Sequence, residues 1–257
     1  MRVGAILIAV LGFAALALTP GSGMAGETIG RVPVLVELFT SEGCSSCPPA
    51  DKFLQELDRQ PLPEAELIVL SEHVDYWDHI GWKDPYSARF YSDRQSTYAS
   101  RLKLDGPYTP QMVVDGSYEF VGSDRELARK AVAQALTDQK IAVRLSSIFI
   151  DAENTLHARV ETGAVPSDAE VVVAIALNHA ESRVSRGENG GRTLTHTAVV
   201  RTMEKIGAAP RGHGFAQDVQ VKLGPGLARD NLRAIAFVQE VHQGRVLGAT
   251  VEKVPAN

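Results

Sequence analysis

The sequence has very few cysteines: Cys44 and Cys47 are the only two in 257 residues. A zinc site needs four ligands, usually with a second cysteine or histidine pair at similar spacing, and the sequence contains no such pair. A disulfide across so short a loop stabilises a fold by only about 2 kcal/mol, which makes it a weak staple. The pair therefore favours a redox centre, with an inert staple and a metal site as the alternatives.

Clustered basic residues are also missing. The formal net charge is -5 and no basic cluster is present, which argues against nucleic acid or acidic lipid as the main partner. No phosphate loop, nucleotide fingerprint or Ser-His-Asp order stands out either. The length is sufficient for two modest domains or one large one.

The only long apolar run is at the N-terminus, and it is short for a membrane span. Ala5 to Leu18 follow Arg2, whereas about 20 apolar residues are normally needed to span a bilayer. Gly23-Met24-Ala25 then resembles a small-x-small cleavage site. We interpret residues 1–25 as a signal peptide, with an uncleaved anchor as the alternative, and expect a secreted chain, in a bacterial periplasm, without stable membrane insertion of the mature chain. Two nearby cysteines can form a disulfide in that oxidising compartment.

The first half alternates strands and helices. Val32–Thr40 and Glu66–Val74 are short runs of apolar and β-branched residues, which predict buried strands. The segment between them places apolar residues on one helical face, at Ala50, Phe53, Leu54 and Leu57. This order predicts a βαβ unit with parallel strands.

Three further elements follow in this half. A segment with helical rhythm begins after Asp84, which is its predicted cap. Gln111–Val114 and Tyr118–Val121 flank a turn and predict an antiparallel hairpin. A last helix is predicted with Ser123 as its cap and Glu126 completing a capping box. The order β-α-β-α-β-β-α predicts an α/β layer architecture.

From residue 141 the rhythm changes. Six or more alternating or β-branched runs follow, separated by Gly, Asn, Asp and Pro. None has the length and periodicity of a helix. This pattern predicts a mostly antiparallel β-sandwich, with the boundary near residue 139.

With these elements in place, residues 32–139 resemble the thioredoxin fold. Four segments are similar to the secreted thioredoxin-like proteins of the domain-of-unknown-function 1223 family: LFTSEGCSSCPPAD, HVDYWDHIGWKDP, YTPQMVVDG and RGENGGRTLTHTAVVR. The resemblance covers nearly the whole mature chain, and it implies a fold rather than an activity, since that family has no assigned activity. We therefore predict a signal peptide over 1–25, a thioredoxin-like domain over 26–139 and a β-sandwich-like domain over 140–257.

The thioredoxin pattern also implies roles for individual positions. Cys44 would be the exposed nucleophile, and Cys47 the resolving thiol. Thr109 and Pro110 would be the Thr-cisPro pair that faces the sulfurs and holds a substrate chain. Glu37 matches the buried acid of the thioredoxin strand.

The residues themselves favour a reactive thiolate. A free cysteine has a pKa of about 8.5, and the positive end of a helix lowers that value. Pro48 and Pro49 have no N–H group, so both must lie in the first turn, where those donors have no intrahelical acceptor. Both sulfurs should therefore lie at the positive tip of the helix.

His73 is the reason to retain a metal site as an alternative hypothesis. Cys44 and His73 should emerge at the same carboxyl edge of two parallel strands. Two thiolates and an imidazole would suit copper. Alternatively, His73 hydrogen-bonds the cysteine loop, or acts as a nearby cation on Cys44. Trp77 and Trp82 are interpreted as packing residues or as the rim of a peptide groove.

A polar, glycine-rich loop stands out in the second half. It groups five side chains around Gly190-Gly191: Arg186, Glu188, Asn189, Arg192 and His196. We interpret it as an exposed turn with solvated charges, and a pocket is the alternative.

Three functions are compatible with these features. The leading hypothesis is a thiol-disulfide oxidoreductase that acts on protein or small-molecule disulfides and dithiols, with its own disulfide in place of a bound cofactor. The second is a copper-binding module that uses Cys44, Cys47 and His73. The third is a non-catalytic partner-binding protein in which the thioredoxin-like half is a scaffold.

Overall fold

The structure is a computed structural model that describes residues 30–60 and 62–255. The predicted signal peptide over 1–25 lies outside the described residues. From Arg31 onward the chain forms one compact unit. In the part of the chain that the structure describes, no helix is long and apolar enough to cross a membrane.

Two parallel strands and a helix form the unit that carries the cysteines. β1 (Val32–Thr40) and β2 (Ala65–His73) pair in parallel along their whole length. The connecting helix α1 (Pro48–Arg59) buries its apolar stripe against β1. The predicted βαβ unit is confirmed.

Helices cover both faces of this part of the sheet. α2 (Arg89–Arg101) packs Tyr91 and Tyr98 with the odd-numbered apolar residues of β1. α3 (Arg125–Ala135) packs with α1 and the even-numbered residues of β1. The predicted hairpin is confirmed as β3 (Gln111–Val114) and β4 (Tyr118–Val121), and β3 extends the sheet antiparallel to β1.

Two predicted helix starts are wrong. The cap of α3 is Asp124 rather than Ser123, because the Asp124 carboxylate accepts two backbone N–H groups of the first turn. α2 begins at Arg89, well beyond Asp84. The Asp84 carboxylate is buried and lies 2.7 Å from the His73 ring, so it is not free to cap a helix.

The second half consists almost entirely of strands, and the predicted antiparallel pairing is confirmed. β5, β6 and β9 form a three-stranded antiparallel sheet, which packs on β7 and β10 through an apolar cluster. In chain order the strands are β5 (Val143–Ile150), β6 (Thr155–Thr162), β7 (Ala169–Arg183), β8 (Thr193–Ala209), β9 (Ala216–Lys222), β10 (Leu232–Glu240) and β11 (Val246–Lys253).

One mixed, mostly antiparallel sheet runs through both halves. β8 pairs in parallel with β2 at Ser71 and Val199, which gives the strand order β11-β10-β7-β8-β2-β1-β3-β4. The segments 26–139 and 140–257, divided in the sequence, are therefore joined by strand pairing. Without β8, β2 would be an unprotected edge strand with unpaired backbone groups.

Candidate redox site

Cys44 and Cys47 form a disulfide between β1 and α1. The S–S distance is 2.16 Å and the two Cα atoms are 5.4 Å apart. Cys47 is the N-cap residue of α1, and its carbonyl accepts the amide N–H groups of Ala50 and Asp51. The helix starts at Pro48, so the prediction that the prolines occupy the first turn and place the cysteines at the helix tip is confirmed.

Both cysteines are fully buried, although Ser45 and Ser46 between them are exposed. The thioredoxin resemblance implied an exposed Cys44, and the structure contradicts that expectation for the oxidised protein. A partner sulfur can reach Cys44 or Cys47 only after the residues that cover them move.

The glycine-rich loop of residues 186–192, here called the cover loop, is folded onto the cysteine loop. Asn189 is fully buried, and its Nδ2 atom donates to the carbonyl oxygens of Glu42, at 2.9 Å, and Cys44, at 3.0 Å. The interpretation of this loop as a solvated turn is therefore wrong for Asn189. The loop contacts the redox motif from 145 residues away in the chain.

Other residues of the cover loop support this contact. Arg192 donates from Nη1 to Oδ1 of Asn189 at 2.7 Å, which fixes the side-chain amide. Glu188 accepts the backbone N–H of Ser45 at 3.0 Å, and the contacts with Ser45 lower the pKa of Glu188. Gly187 has φ +75°, a left-handed conformation that favours glycine, and it packs on Trp82.

The Thr109–Pro110 peptide bond is cis, as the thioredoxin resemblance implied. Trp77 joins it to the cysteine loop: Nε1 of Trp77 donates to Oγ1 of Thr109 at 2.8 Å. The same side chain packs on Gly43, where an added Cβ would lie 3.0 Å from Cβ of Trp77. Thr109, Pro110 and Trp77 are therefore brought to the cysteine loop. Trp77 is a hydrogen-bond donor there as well as a packing residue.

His73, at the end of β2, anchors the same loop indirectly. Its Nδ1 atom lies 2.7 Å from Oδ2 of Asp84, and that oxygen also accepts the N–H of Glu42 at 2.8 Å. Burial raises the pKa of Asp84, but His73 and the backbone donors outweigh burial and lower it overall. His73 therefore holds the residues before Cys44 through Asp84.

The predicted copper ligands are not assembled in the oxidised protein. Cys44 and Cys47 are joined to each other, so neither sulfur is a free thiolate. His73 points one ring nitrogen at Asp84. Across residues 30–60 and 62–255, no group of three or more His, Cys, Asp or Glu side chains is placed to hold a metal ion.

A buried charged cluster beneath the cysteine loop was not predicted. Nε2 of His196 lies 3.2 Å from Glu42 and Nδ1 lies 3.7 Å from Asp51. Burial lowers the pKa of His196, but the two carboxylates raise it to about 10 overall. His196 is therefore an imidazolium at neutral pH, and it links Glu42, two residues before Cys44, to Asp51 in the first turn of α1. We call these three residues the His196 cluster.

Two further hydrogen bonds and one ring contact complete the His196 cluster. Thr40 donates to Asp51 at 2.9 Å, and Nε1 of Trp82 donates to Glu42 at 2.7 Å. The His73 and His196 rings meet edge to face, with centroids 4.7 Å apart. The sequence signal for this cluster is the alternation at the start of β8, where Leu194 and His196 are buried and Thr193 and Thr195 are exposed.

Glu37 lies on the face of β1 opposite α1. Strand residues alternate between faces, and the odd-numbered residues of β1 pack with α2. The Glu37 carboxylate accepts hydrogen bonds from Arg94 at 2.7 Å and Tyr98 at 2.6 Å. The structure thus places Glu37 in a separate network, and the buried acids next to the cysteines are Glu42 and Asp51.

Glu72, on β2, extends that separate network. Its carboxyl lies 3.7 Å from Nε of Arg94, and neither of its oxygens has a hydrogen-bond partner among the described residues. Burial and the nearby Glu37 carboxylate raise the pKa of Glu72 well above its ordinary value. Burial therefore favours the protonated form of Glu72.

A surface groove of about 530 Å³ runs along the start of α1, beside the cysteine loop. One wall comes from α1 and the other from the end of the cover loop and the start of β8. Its lining includes Pro48, Asp51, Lys52 and Arg192.

The comparison with curated proteins yields no match. Two solved structures share the fold. A protein from Agrobacterium tumefaciens has a TM-score of 0.67 and 24% identity, over 88% of this chain and 96% of that one. HBP35 of Porphyromonas gingivalis has a TM-score of 0.60 and 16% identity, over 87% of this chain and 76% of that one. Similarity at these identities shows the fold alone.

A family model also matches the chain. It is described as a protein of unknown function (DUF1223) and matches residues 35–239, from β1 to β10. The match includes the disulfide, the cis-proline and the cover loop. The chain therefore belongs to the DUF1223 family of proteins of unknown function.

Proposed function

We propose that this protein is a thiol-disulfide oxidoreductase of an oxidising, extracytoplasmic compartment, with Cys44 and Cys47 as its redox centre. The observation that carries the proposal is the position of the disulfide at the start of α1, joined through Trp77 to the cis Thr109–Pro110 bond. A pair of cysteines at a helix tip beside a βαβ unit is the arrangement that suits thiol exchange. The pair holds the two electrons itself, so the reaction needs no bound cofactor.

The reaction is a pair of thiol-disulfide exchanges. In the reduced protein, the Cys44 thiolate attacks one sulfur of a partner disulfide, which forms a mixed disulfide and releases the other partner sulfur as a thiolate. The Cys47 thiolate then attacks Sγ of Cys44, restores the internal disulfide and releases the second partner thiolate. Two electrons pass from the protein to the partner, and a partner dithiol reverses both steps.

Local groups favour the thiolate form of Cys44. The helix dipole of α1 places positive potential at its N-terminus, where the motif lies. The Ser46 hydroxyl lies 3.3 Å from Sγ of Cys44 and can donate to a thiolate there. Both effects stabilise the charged nucleophile relative to the thiol.

We expect exchange to require the cover loop to move, because both cysteines are fully buried and this loop is bound to the cysteine loop. The contacts that hold it include the hydrogen bonds that Asn189 donates to two carbonyl groups and the hydrogen bond that the Glu188 carboxylate accepts from Ser45. Glu188 itself is exposed. Such a segment opens at a lower free energy than the core does.

The same burial favours a second candidate function. In that case the disulfide is a structural element of the cysteine loop, and the protein acts by binding a partner. The two candidates differ in one respect: an inert disulfide resists exchange with the native protein, whereas a redox centre reacts.

Alkylation of the reduced protein separates these candidates. We expect a Cys44 pKa below the free-thiol value of about 8.5. We also expect Cys47→Ser to accumulate a mixed disulfide with glutathione disulfide, and Cys44→Ser, the matched control, to accumulate far less. If Cys44 reacts with the pKa of a free thiol and dithiothreitol leaves the native disulfide intact, the oxidoreductase proposal is rejected.

A further inference from the structure

The groove beside the redox centre has the size of a small-molecule site. Its volume of about 530 Å³ lies within the range of roughly 300 to 1,000 Å³ that is usual for such sites. Pro48, which lines it, follows Cys47 directly in the chain. A ligand in the groove therefore lies next to the cysteine loop.

The groove presents positive charge. Lys52 and Arg192 both line it and both are exposed. Within the described residues, Lys52 forms no ion pair with a carboxylate of the protein. Arg192 uses one guanidinium N–H for Asn189 and retains others for a ligand.

The one acidic residue that lines the groove does not cancel this charge. Asp51 is buried, accepts a hydrogen bond from Thr40 and lies 3.7 Å from the His196 imidazolium. Asp51 thus pairs inside the fold with Thr40 and with His196, which it shares with Glu42, and among the described residues it forms no ion pair with Lys52 or Arg192. Two cations remain for whatever occupies the groove.

We propose that the groove binds a small thiol that carries carboxylates, or the disulfide of that thiol, and that Lys52 and Arg192 bind its carboxylates. This inference rests on the proposed function and names its substrate class. Arg192 forms bidentate contacts with carboxylates readily, whereas Lys52 acts as a point charge.

The small thiol can reduce the protein disulfide in two steps. The bound thiolate attacks Sγ of Cys44, the Cys44–Cys47 bond breaks, and Cys47 leaves as a thiolate. A second molecule of the same thiol attacks the mixed disulfide, forms the small-molecule disulfide and leaves the protein as a dithiol. Two thiols are oxidised and one protein disulfide is reduced.

Arg192 also connects the groove to the cover loop. Its guanidinium holds Oδ1 of Asn189, whose amide holds the carbonyl of Cys44. A ligand carboxylate bound by the remaining N–H groups of Arg192 therefore lies one side chain away from the hydrogen bond that holds the cover loop to Cys44.

The test compares an anionic with a neutral thiol on the full-length oxidised protein. Reduction of the disulfide by glutathione, and separately by 2-mercaptoethanol, is followed by rapid alkylation and mass spectrometry. We expect Lys52→Gln to slow reduction by glutathione about threefold, the effect of one exposed ion pair, and Lys52→Glu to slow it more. Neither variant changes the rate with 2-mercaptoethanol. Lys253→Gln, an exposed lysine on β11, is the matched control and leaves both rates unchanged.

Binding of S-methylglutathione, which cannot exchange, separates the two proposals. Lys52-dependent amide shifts at the groove in the oxidised protein support the anion site even if neither thiol reduces the disulfide, and that result rejects only the proposed redox function. Equal effects of Lys52→Gln on both thiols, or on neither, together with no Lys52-dependent binding, overturn the anion site and leave the redox function standing.

Discussion

The side-chain amide of Asn189 donates a hydrogen bond to the carbonyl oxygen of Cys44 at 3.0 Å. A second bond from the same Nδ2 atom reaches the carbonyl of Glu42 at 2.9 Å. One buried side chain thus holds the cover loop against both sides of the turn that leads into the disulfide. The access of reagents to the sulfurs should depend on this residue.

Asn189→Ala removes both bonds while leaving the cysteines unchanged. We expect dithiothreitol to reduce the disulfide of this variant at least about fivefold faster than that of the wild type, since each lost bond is worth about 0.5–1.5 kcal/mol of loop opening. Quenched alkylation of the native protein measures the rate. Asn231→Ala is the matched control, because Asn231 forms similar side-chain-to-backbone bonds with His179. Equal rates in Asn189→Ala and wild type show that the cover loop does not limit access.

The contact of Asn189 with the cysteine loop could not be predicted from the sequence, whereas most of the elements in the first half could. The strands, the parallel βαβ unit, the hairpin and the proline-led helix start are set by local periodicity and turn chemistry, and these were predicted. The cover loop reaches the motif through polar side chains in a glycine-rich segment, and a solvated turn has the same composition. Asp84 was misplaced for a similar reason: an aspartate suits a helix cap and a buried partner of His73 equally well.

Glu37 shows a different limit. Both faces of β1 are buried, so its sequence has no alternation of polar and apolar residues that would show which face Glu37 occupies. The resemblance matched Glu37 to the buried acid of the thioredoxin strand, and the structure pairs its carboxylate with Arg94. The pairing of β8 with β2 was missed because strand partners distant in sequence leave no local pattern.

The His196 cluster predicts a pH dependence of stability. The pKa of His196 rises to about 10 in the folded protein, from about 6.5 in an unfolded chain. A raised histidine pKa gives a stabilisation that is complete below the unfolded value and is lost as pH rises through the folded value. The wild type should therefore lose free energy of unfolding, on the order of a few kcal/mol, as the pH rises from about 7 towards 10.

Urea unfolding at a series of pH values measures this dependence. His196→Gln should be less stable at pH about 7, because two buried carboxylates lose their cation, and its stability should fall less steeply towards alkaline pH. His179→Gln, at an exposed position on β7, is the control and should retain the wild-type slope. A slope unchanged by His196→Gln contradicts the assignment of a buried imidazolium.

The raised pKa of Glu72 predicts how its replacement by the isosteric, neutral glutamine changes the free energy of unfolding. Its raised pKa means that the folded protein keeps the proton after the unfolded chain has lost it, so folding becomes less favourable as pH rises above the unfolded value of about 4.3. Glu72→Gln cannot ionise in either state. We expect it to raise the free energy of unfolding at pH about 8 and to change it little near pH 4.

The control for that variant is Glu37→Gln, in the same network. It removes the charged partner of Arg94, which is 5% exposed in its side chain, and leaves a buried cation without its main counterion. Loss of one partner of a buried ion pair costs about 3–5 kcal/mol. Glu37→Gln should thus destabilise the protein at the pH where Glu72→Gln stabilises it. If both variants change stability in the same direction, the raised pKa of Glu72 or the ion pair of Glu37 with Arg94 is contradicted.

An ion pair joins the two halves of the chain in addition to the shared sheet. Asp58, near the end of α1, is held by a bidentate pair with Arg233 of β10, at 2.6 and 3.0 Å, and by Thr197 of β8 at 2.6 Å. Burial raises the pKa of Asp58, but these donors lower it overall. The stabilisation is thus present above the unfolded pKa and is lost as pH falls through the folded one. Asp58→Asn should cost about 1.5–3 kcal/mol near neutral pH and little in acid, whereas the exposed Asp93→Asn should cost under about 0.5 kcal/mol.

A fragment of residues 26–139 gives the most direct measurement of the same coupling. It contains β1 to β4 and all three of the α-helices described, yet it lacks β8, which pairs with β2, and Arg233, which binds α1. It also exposes the face of α2 that packs on β7 and β10. We expect no cooperative urea transition for the fragment, in contrast to the whole chain, because one edge of its sheet and one face of its core are uncovered. A cooperative transition with a native-like circular dichroism spectrum would instead establish residues 26–139 as an independent domain, and the pairing of β8 with β2 as an association between two domains.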